Sequence, residues 1–211
     1  MIDTDGFGPD QVLRAVNVSR ETIEKIERVV ALLDDWRQRM NLIGPAEMDH
    51  IWRRHVLDSL QLLPMIPPDG VTVDLGAGSG FPGLVLAAGL SHPDAEIVMI
   101  ETVGKKCAFL REAIRVADLN GRVRQGRVEN VNDIAASCVT ARAFAPLPRI
   151  LDYAEKWFGQ GAFALLPKGR RWQEELTQAQ ECWKFAYEVI PSLSGGDGAI
   201  LKIWEVSRVD Q

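Results

Sequence analysis

Two periods of apolar residues divide this chain. After Ser19, a residue type that caps helix N-termini, Ile23, Ile26, Val30, Leu33, Trp36 and Met40 recur at intervals of three and four. That is the spacing of one buried face of a long helix. A second amphipathic stretch carries Trp52, Val56, Leu60 and Leu63 and ends before Pro64. From Val71 the rhythm shifts to short β-like runs over 71–75, 96–101, 122–127, 138–142, 162–167, 186–190 and 198–206. Between them lie helical patterns over 82–90, 104–117, 146–158 and 171–184. The break between the two regimes, Pro67-Pro68-Asp69-Gly70, predicts a helical appendage over 1–67 and an α/β domain over 68–211. Strands separated by helices imply a mostly parallel sheet covered on both faces. The last two runs, "FAYEVIPSL" and "GAILKIWEV", are separated by little more than "SGGD". They predict a closing hairpin, and hence one antiparallel strand among seven.

Composition narrows the class of protein without choosing a function. The 211 residues are 46% hydrophobic and 25% charged, which predicts a packed core rather than disorder. No apolar run reaches the roughly 18 residues of a membrane helix. The opening Met1-Ile2-Asp3-Thr4-Asp5 lacks the basic-then-apolar layout of a signal peptide. Cys107, Cys138 and Cys182 are odd in number and form no CxxC. A disulfide framework or a zinc site is therefore not expected, and a reducing cytoplasm is. A net charge of −5 lowers the expectation of a nucleic-acid partner, except where cations gather locally.

The candidate chemistry sits in "VTVDLGAGSGFPGLVLAAGL", residues 71–90. In an open α/β sheet the ligand crevice lies beyond the carboxyl ends of the strands, beside the first strand. Gly76, Gly78 and Gly80 fall at that place, more bare backbone than one tight turn requires. Counting from Gly76, Phe81 stands where a dinucleotide fingerprint needs its third glycine, and no Walker-type GK[ST] follows. The order D-x-G-x-G-x-G, from Asp74 to Gly80, resembles motif I of methyltransferases that use S-adenosylmethionine, a cofactor without phosphates. Glu101 closes the next strand, "EIVMIE", near the spacing at which an acid meets ribose hydroxyls.

With these residues the chain resembles the RsmG (glucose-inhibited division protein B) family of small-subunit ribosomal RNA methyltransferases. The matching pieces are "NLIG", "RHVLDSL", "VDLGAGSGFPG", "KKCAFL", "GRVE", "ARAF" and "PKG", in the family's order from about Asn41 to Lys202. Departures are Ile43, where the family usually has Thr, and the uninterrupted "LVLA", where it often has Pro. The resemblance implies a class I, Rossmann-like methyltransferase fold, S-adenosyl-L-methionine as cofactor, and methylation of guanine N7 in 16S ribosomal RNA. It also implies that Gly76 and Phe81 contact the cofactor, that Val128 and Glu129 border its adenine, and that Arg142 lies beside it. Gly78 and Glu101 join this cofactor set from the loop and strand-end reading above.

Cations recur along the same edge: Lys105, Lys106, Arg127, Arg142, Lys168, Arg170 and Arg171, with Arg53, Arg54 and His55 from the appendage. Lys105, Arg127 and Lys168 are the expected RNA contacts, because separate strands bring them to one rim, while Lys106, Arg170 and Arg171 read as a solvated face. "RHVLDSL" also invites a hydrolase reading through His55, Asp58 and Ser59. Helical neighbours lack the strained nucleophile turn and oxyanion hole that a triad needs, so a structural His55–Asp58 hydrogen bond is expected instead. Guanine N7 carries a free lone pair and no proton, so its methylation needs alignment rather than a base. Arg142 and Lys168 are the candidates for that positioning. Other readings of the same fold are a methyltransferase for a different substrate and a non-catalytic nucleotide-binding module.

Overall fold

The computed structural model describes residues 2–209. Met1, Asp210 and Gln211, included in the expected ranges 1–67 and 68–211, lie outside the described residues. The chain begins with α1 (Pro9–Ala15) and α2 (Arg20–Arg37). Ser19 caps α2 as expected, its Oγ accepting the Thr22 N–H at 3.0 Å, and Ile23, Ile26, Val30 and Leu33 are buried. The helix ends at Arg37, so Met40 lies beyond it. After the single turn α3 (Pro45–Met48), residues Trp52–Leu57 wind as a π-helix into α4 (Asp58–Leu60), and a 3₁₀ turn over Leu63–Met65 absorbs Pro64.

The α/β part alternates in order: β1 (Gly70–Leu75), α5 (Gly83–Gly89), β2 (Ala95–Glu101), α6 (Gly104–Ala117), β3 (Gly121–Gln125), β4 (Cys138–Thr140), α7 (Leu147–Phe158), β5 (Phe163–Lys168), α8 (Trp172–Gln180), β6 (Trp183–Pro191) and β7 (Ala199–Arg208). The seven strands form one sheet in the order β3-β2-β1-β4-β5-β7-β6, parallel except for β7, which runs antiparallel to both β5 and β6. The predicted closing hairpin is therefore β6–β7. Several boundaries differ from expectation; the strand expected over 122–127, for example, ends at Gln125. The pattern over 171–184 stops being helical at Gln180, because Trp183 is buried in β6, opposite Arg208, whose guanidinium lies 4.0 Å from the Trp183 ring centroid. β4 ends at Thr140, leaving Arg142 in the loop past the sheet edge.

Alternation along β2 divides the core. Ile97 and Met99 face a cluster built with α1, α2, the π turn, α5 and α6, while Val98 and Ile100 face one built with α7 and α8, as a two-residue side-chain period requires. The N-terminal helices thus share one apolar layer with α5 and α6. Trp36 of α2 meets Phe109 of α6 with ring centroids 5.7 Å apart.

The entry into the π turn is fixed by Asp3, a residue that apolar periodicity does not flag. Its side chain is buried, and its two oxygens accept the Trp52 and Arg53 N–H groups, each at 2.9 Å. Burial raises its carboxyl above the usual carboxylate range despite those two donors. Replacing it leaves helix-end donors without an acceptor. Asp3→Ala is expected to lower stability by about 1–3 kcal/mol in urea unfolding, with Asp3→Asn recovering part of the loss.

Candidate active site

The strand order reverses between β1 and β4, and the glycine loop emerges there. Gly76 has φ +66°, and a Cβ on it would stand 2.2 Å from the Phe144 ring. Glycine is what lets that ring lie against the backbone. Ala77 donates its N–H to Ile100 O at 3.1 Å, holding the loop along β2. The decisive contact is at Gly78, whose N–H donates to Glu101 Oε2 at 3.0 Å. Glu101 Oε1 accepts the N–H groups of Thr102 at 2.7 Å and Val103 at 2.8 Å. One carboxylate, 7% exposed, thus ties the loop after β1 to the loop after β2.

Beneath the loop, Asp74 is fully buried. Its Oδ2 accepts the Gly83 N–H at 3.0 Å, at the start of α5, while its Oδ1 has no hydrogen-bond partner. A Cβ on Gly83 would come within 2.6 Å of Oδ2. Burial raises the Asp74 carboxyl to about 7, outweighing the Gly83 N–H and the Arg142 charge.

Above the strand ends lies a cleft of about 840 Å³. Gly76, Gly78, Phe81, Glu101, Val128, Glu129 and Arg142, the whole expected cofactor set, line it together with Arg127. Val128 is held from below: Lys156 Nζ on α7 donates to its carbonyl at 2.6 Å. Lys105 is exposed near the start of α6, outside the lining, and Lys168 lines a neighbouring cavity instead. Phe144, Tyr153 and His55 also line the cleft. Sequence patterns offered little for the first two, since a Phe and a Tyr beside apolar helical spacing read as core.

His55 and Asp58 do not bond to each other as expected. Arg142 stands between them. Its Nε lies 3.1 Å from Asp58 Oδ2, Nη1 donates to His55 Nδ1 at 2.8 Å, and Nη2 donates to Arg54 O at 2.7 Å. The far ring nitrogen, His55 Nε2, lies 2.9 Å from Glu47 Oε2. Accepting at Nδ1 makes His55 a neutral Nε2–H tautomer. Burial, then the Arg142 charge, hold its pKa at about 4. Glu47 is pushed up by burial, but its His55 hydrogen bond and the nearby cations leave it below the usual range. Ser59 turns away and donates to His55 O at 2.6 Å, so no hydrolase triad exists at this place. The ring of Phe81 lies 5.1 Å from that of His55, which connects the chain of polar groups to the glycine loop.

Lys168 also differs from the free rim cation expected of it. Its side chain is 7% exposed, with Nζ 2.8 Å from Glu175 Oε2 and 3.3 Å from Ala145 O. The same Glu175 oxygen accepts the Leu147 N–H at 2.8 Å, so the pair fastens the starts of α7 and α8 to the end of β5. Burial lowers the Lys168 pKa despite Glu175. Lys105 and Arg127 are exposed and make no ion pair among the described residues.

A family model described as rRNA small subunit methyltransferase G matches residues 22–199. The ribosomal RNA small subunit methyltransferase G of Hyphomonas neptunium is 59% identical over 196 residues, covering 93% of this chain and 94% of its own. The chain belongs to the rRNA small subunit methyltransferase G family. The protein of that name from Paramagnetospirillum magneticum is 43% identical over 203 residues, covering 96% of this chain and 98% of its own. Among solved structures, a fibrillarin/Nop5p complex aligns with TM-score 0.55 at 15% identity, covering 72% of this chain and 81% of that one. M. jannaschii TYW2 in complex with AdoMet aligns with TM-score 0.54 at 18% identity, over 74% and 76%. These likenesses concern the fold, the seven-stranded class I methyltransferase sheet with its antiparallel β7. The family membership makes the protein an rRNA methyltransferase, and the cleft at the β1/β4 reversal is where its fold places a ligand.

The Asp74 carboxyl gives this methyltransferase a pH signature. A folded-state pKa near 7, against an ordinary 3.8, means that the folded protein holds a proton the unfolded chain releases. Stability from this group is full below about pH 4 and declines as pH rises to about 7. Asp74→Asn copies the protonated acid. Between pH 5 and pH 8 the wild type is expected to lose on the order of 2 kcal/mol relative to Asp74→Asn in denaturant unfolding. Parallel stability profiles for the two proteins would contradict the buried, unpartnered Oδ1.

Proposed function

We propose that this protein transfers the methyl group of S-adenosylmethionine to guanine N7 in 16S ribosomal RNA of the small subunit. The observation that carries the cofactor reading is the Gly78 N–H donating to Glu101 Oε2. A dinucleotide site presents free loop N–H groups to its pyrophosphate. Here the Gly78 N–H is already taken by Glu101, and Phe81 stands where the dinucleotide fingerprint has the glycine that lets helix and strand pack closely around a pyrophosphate. The bare backbone at Gly76 and Gly78 and the acceptor oxygens of Glu101 fit a sulfonium nucleoside with two ribose hydroxyls. Phe81 supplies an apolar wall on the same side. Val128 and Glu129, with Val128 fixed by Lys156, would border the adenine, and Arg142 would lie beside the cofactor's reacting end.

When bound, S-adenosylmethionine supplies an electrophilic methyl group on a cationic sulfur. The residues of this chain orient and exclude water. N7 attacks with a lone pair and carries no proton, so no general base is required. Among the charged groups beside the cleft, Arg142 is committed to Asp58 and His55 stays neutral. Neither group offers a base poised at neutral pH, which agrees with an alignment mechanism. The major groove of paired A-form RNA is deep and narrow, so the target guanine is presented from a loop or extruded from its stack. Lys105 and Arg127 supply unpaired cations for the surrounding backbone. A cytoplasmic location accords with the three unpaired cysteines, and no described helix is long and apolar enough to cross a membrane.

Incubation with methyl-labelled S-adenosylmethionine and small subunits from a strain lacking this protein is expected to label a guanine, detected as 7-methylguanosine after nuclease digestion. Label on another base, or on protein alone, would contradict the assignment.

A further inference from the structure

Charge is unevenly shared along the strand-end edge. Toward β5 and β7 the buried cations are matched internally, with Arg142 Nε 3.1 Å from Asp58 Oδ2 and Lys168 Nζ 2.8 Å from Glu175 Oε2. Asp58 Oδ1 also accepts the hydroxyls of Ser192 at 3.2 Å and Ser194 at 3.0 Å, in the β6–β7 loop. The other end, where β3 is the outermost strand, is different. On a chain of net charge −5, α6 carries Lys105, Lys106, Arg111 and Arg115 against one acid, Glu112. Arg115 takes up that acid, its Nε and Nη2 donating to the two Glu112 oxygens at 2.9 Å and 2.7 Å. Lys105 and Arg111 are exposed and make no ion pair among the described residues.

These cations fall in a row. Lys105, Ala108, Arg111 and Arg115 recur at intervals of three and four and are all exposed, so they share the outer face of α6. Phe109, Leu110 and Ala113 on the inner face are fully buried. From Lys105 to Arg115 the row runs about 15 Å. It begins at the cofactor cleft, which Val103, Lys106 and Arg127 line. The start of α6 abuts the end of β3 there: a Cβ on Gly104 would stand 3.4 Å from Gln125 Nε2. Arg127, exposed and without an ion pair among the described residues, follows β3 at that place. Helix stability does not account for Lys105 and Lys106, because cations in a first turn oppose the helix dipole and α6 has no acid there.

We propose that the outer face of α6, with Arg127 past the end of β3, anchors the ribosomal RNA at a second place, gripping the phosphodiester backbone of a paired segment through Lys105, Arg111 and Arg127 without reading its bases. The inference rests on the rRNA methyltransferase reading and adds a surface on the far side of the cofactor cleft from β4 and β5. Charge complementarity carries it: unpaired cations from two elements form one row on a chain that is acidic as a whole. The choice of paired RNA follows from what the row lacks. Single strands are held by aromatic side chains on which bases stack, and the one aromatic residue of α6, Phe109, is fully buried. Paired A-form RNA keeps its bases in a deep, narrow major groove and presents phosphates and ribose hydroxyls, which a rigid row of cations can meet.

Fluorescence titration with a short labelled RNA duplex of unrelated sequence, beside steady-state methylation of small subunits, tests it on wild type, Arg111→Glu, Arg111→Lys and Lys184→Glu. Lys184, exposed in β6 at the opposite edge of the sheet, controls for net charge. Arg111→Glu is expected to weaken duplex binding and raise KM for subunits, each about tenfold, and to lower the salt dependence of binding by about one unit of slope. KM for S-adenosylmethionine should stay within about twofold. Arg111→Lys should recover most of the loss, Lys184→Glu should behave as wild type, and a single strand of equal length should bind wild type more weakly than the duplex. Wild-type duplex affinity or wild-type KM for subunits in Arg111→Glu overturns the surface, as does an equal effect from Lys184→Glu or a matching rise in cofactor KM. A single strand bound as tightly as the duplex overturns the assignment to paired RNA. If the wild-type protein transfers no methyl to subunits, the underlying reading fails and the surface falls with it. Transfer by wild type with no response at Arg111 refutes the surface alone.

Discussion

A single carboxylate sets the character of this site. Glu101, at the end of β2, accepts backbone N–H groups from Gly78, Thr102 and Val103. Backbone dipoles satisfy the charge at a place from which water is largely removed, and in return the glycine loop acquires one conformation. The same contact decides what the loop can hold. A pyrophosphate would have to displace Glu101 from the Gly78 N–H and would meet Phe81 where its fingerprint has glycine, whereas the ribose hydroxyls of an adenosyl group meet an acceptor already in place.

A second constraint joins the N-terminal helices to this edge. Arg142 is too buried to stand alone, and it reaches Asp58, His55 and the Arg54 carbonyl simultaneously. Burial would favour loss of its proton, but Asp58 and Glu47 oppose that, and a guanidinium remains charged. Keeping His55 neutral is part of the balance, since a second cation at 2.8 Å from Arg142 would break the hydrogen bond to Nδ1. The resulting unit passes through Asp58 to the β6–β7 loop. Cofactor cleft, appendage and hairpin are thus positioned by one polar chain around an arginine.

Much of this was legible in the residues. Period-two apolar runs and the intervening helical patterns predict the parallel sheet, and the short "SGGD" link predicts the antiparallel β7. Phe81 in place of a third glycine argues against a dinucleotide before any geometry is known, and the expected cofactor residues do line one cleft. What stayed hidden depends on contacts between distant positions. His55 and Arg142 are separated by 87 residues, so "RHVLDSL" read locally suggests a direct His–Asp bond that the fold replaces with an arginine. Lys168 looks like a surface cation because its neutralising partner, Glu175, lies on the following helix rather than within "PKG". Asp3 reads as an acidic terminus, yet it caps a turn 49 residues away. Trp183 extends the apparent helical pattern, and only its pairing with Arg208 makes it a strand residue.

The central claim is that the Glu101-occupied glycine loop selects an adenosyl sulfonium over a diphosphate. Calorimetric titration of the wild-type protein with S-adenosylmethionine and, separately, with NAD measures this most directly. The account predicts saturable binding of S-adenosylmethionine and binding of NAD at least about a hundredfold weaker, a difference of about 2.7 kcal/mol. Equal or tighter binding of NAD, displaced by S-adenosylmethionine from the same site, would contradict it.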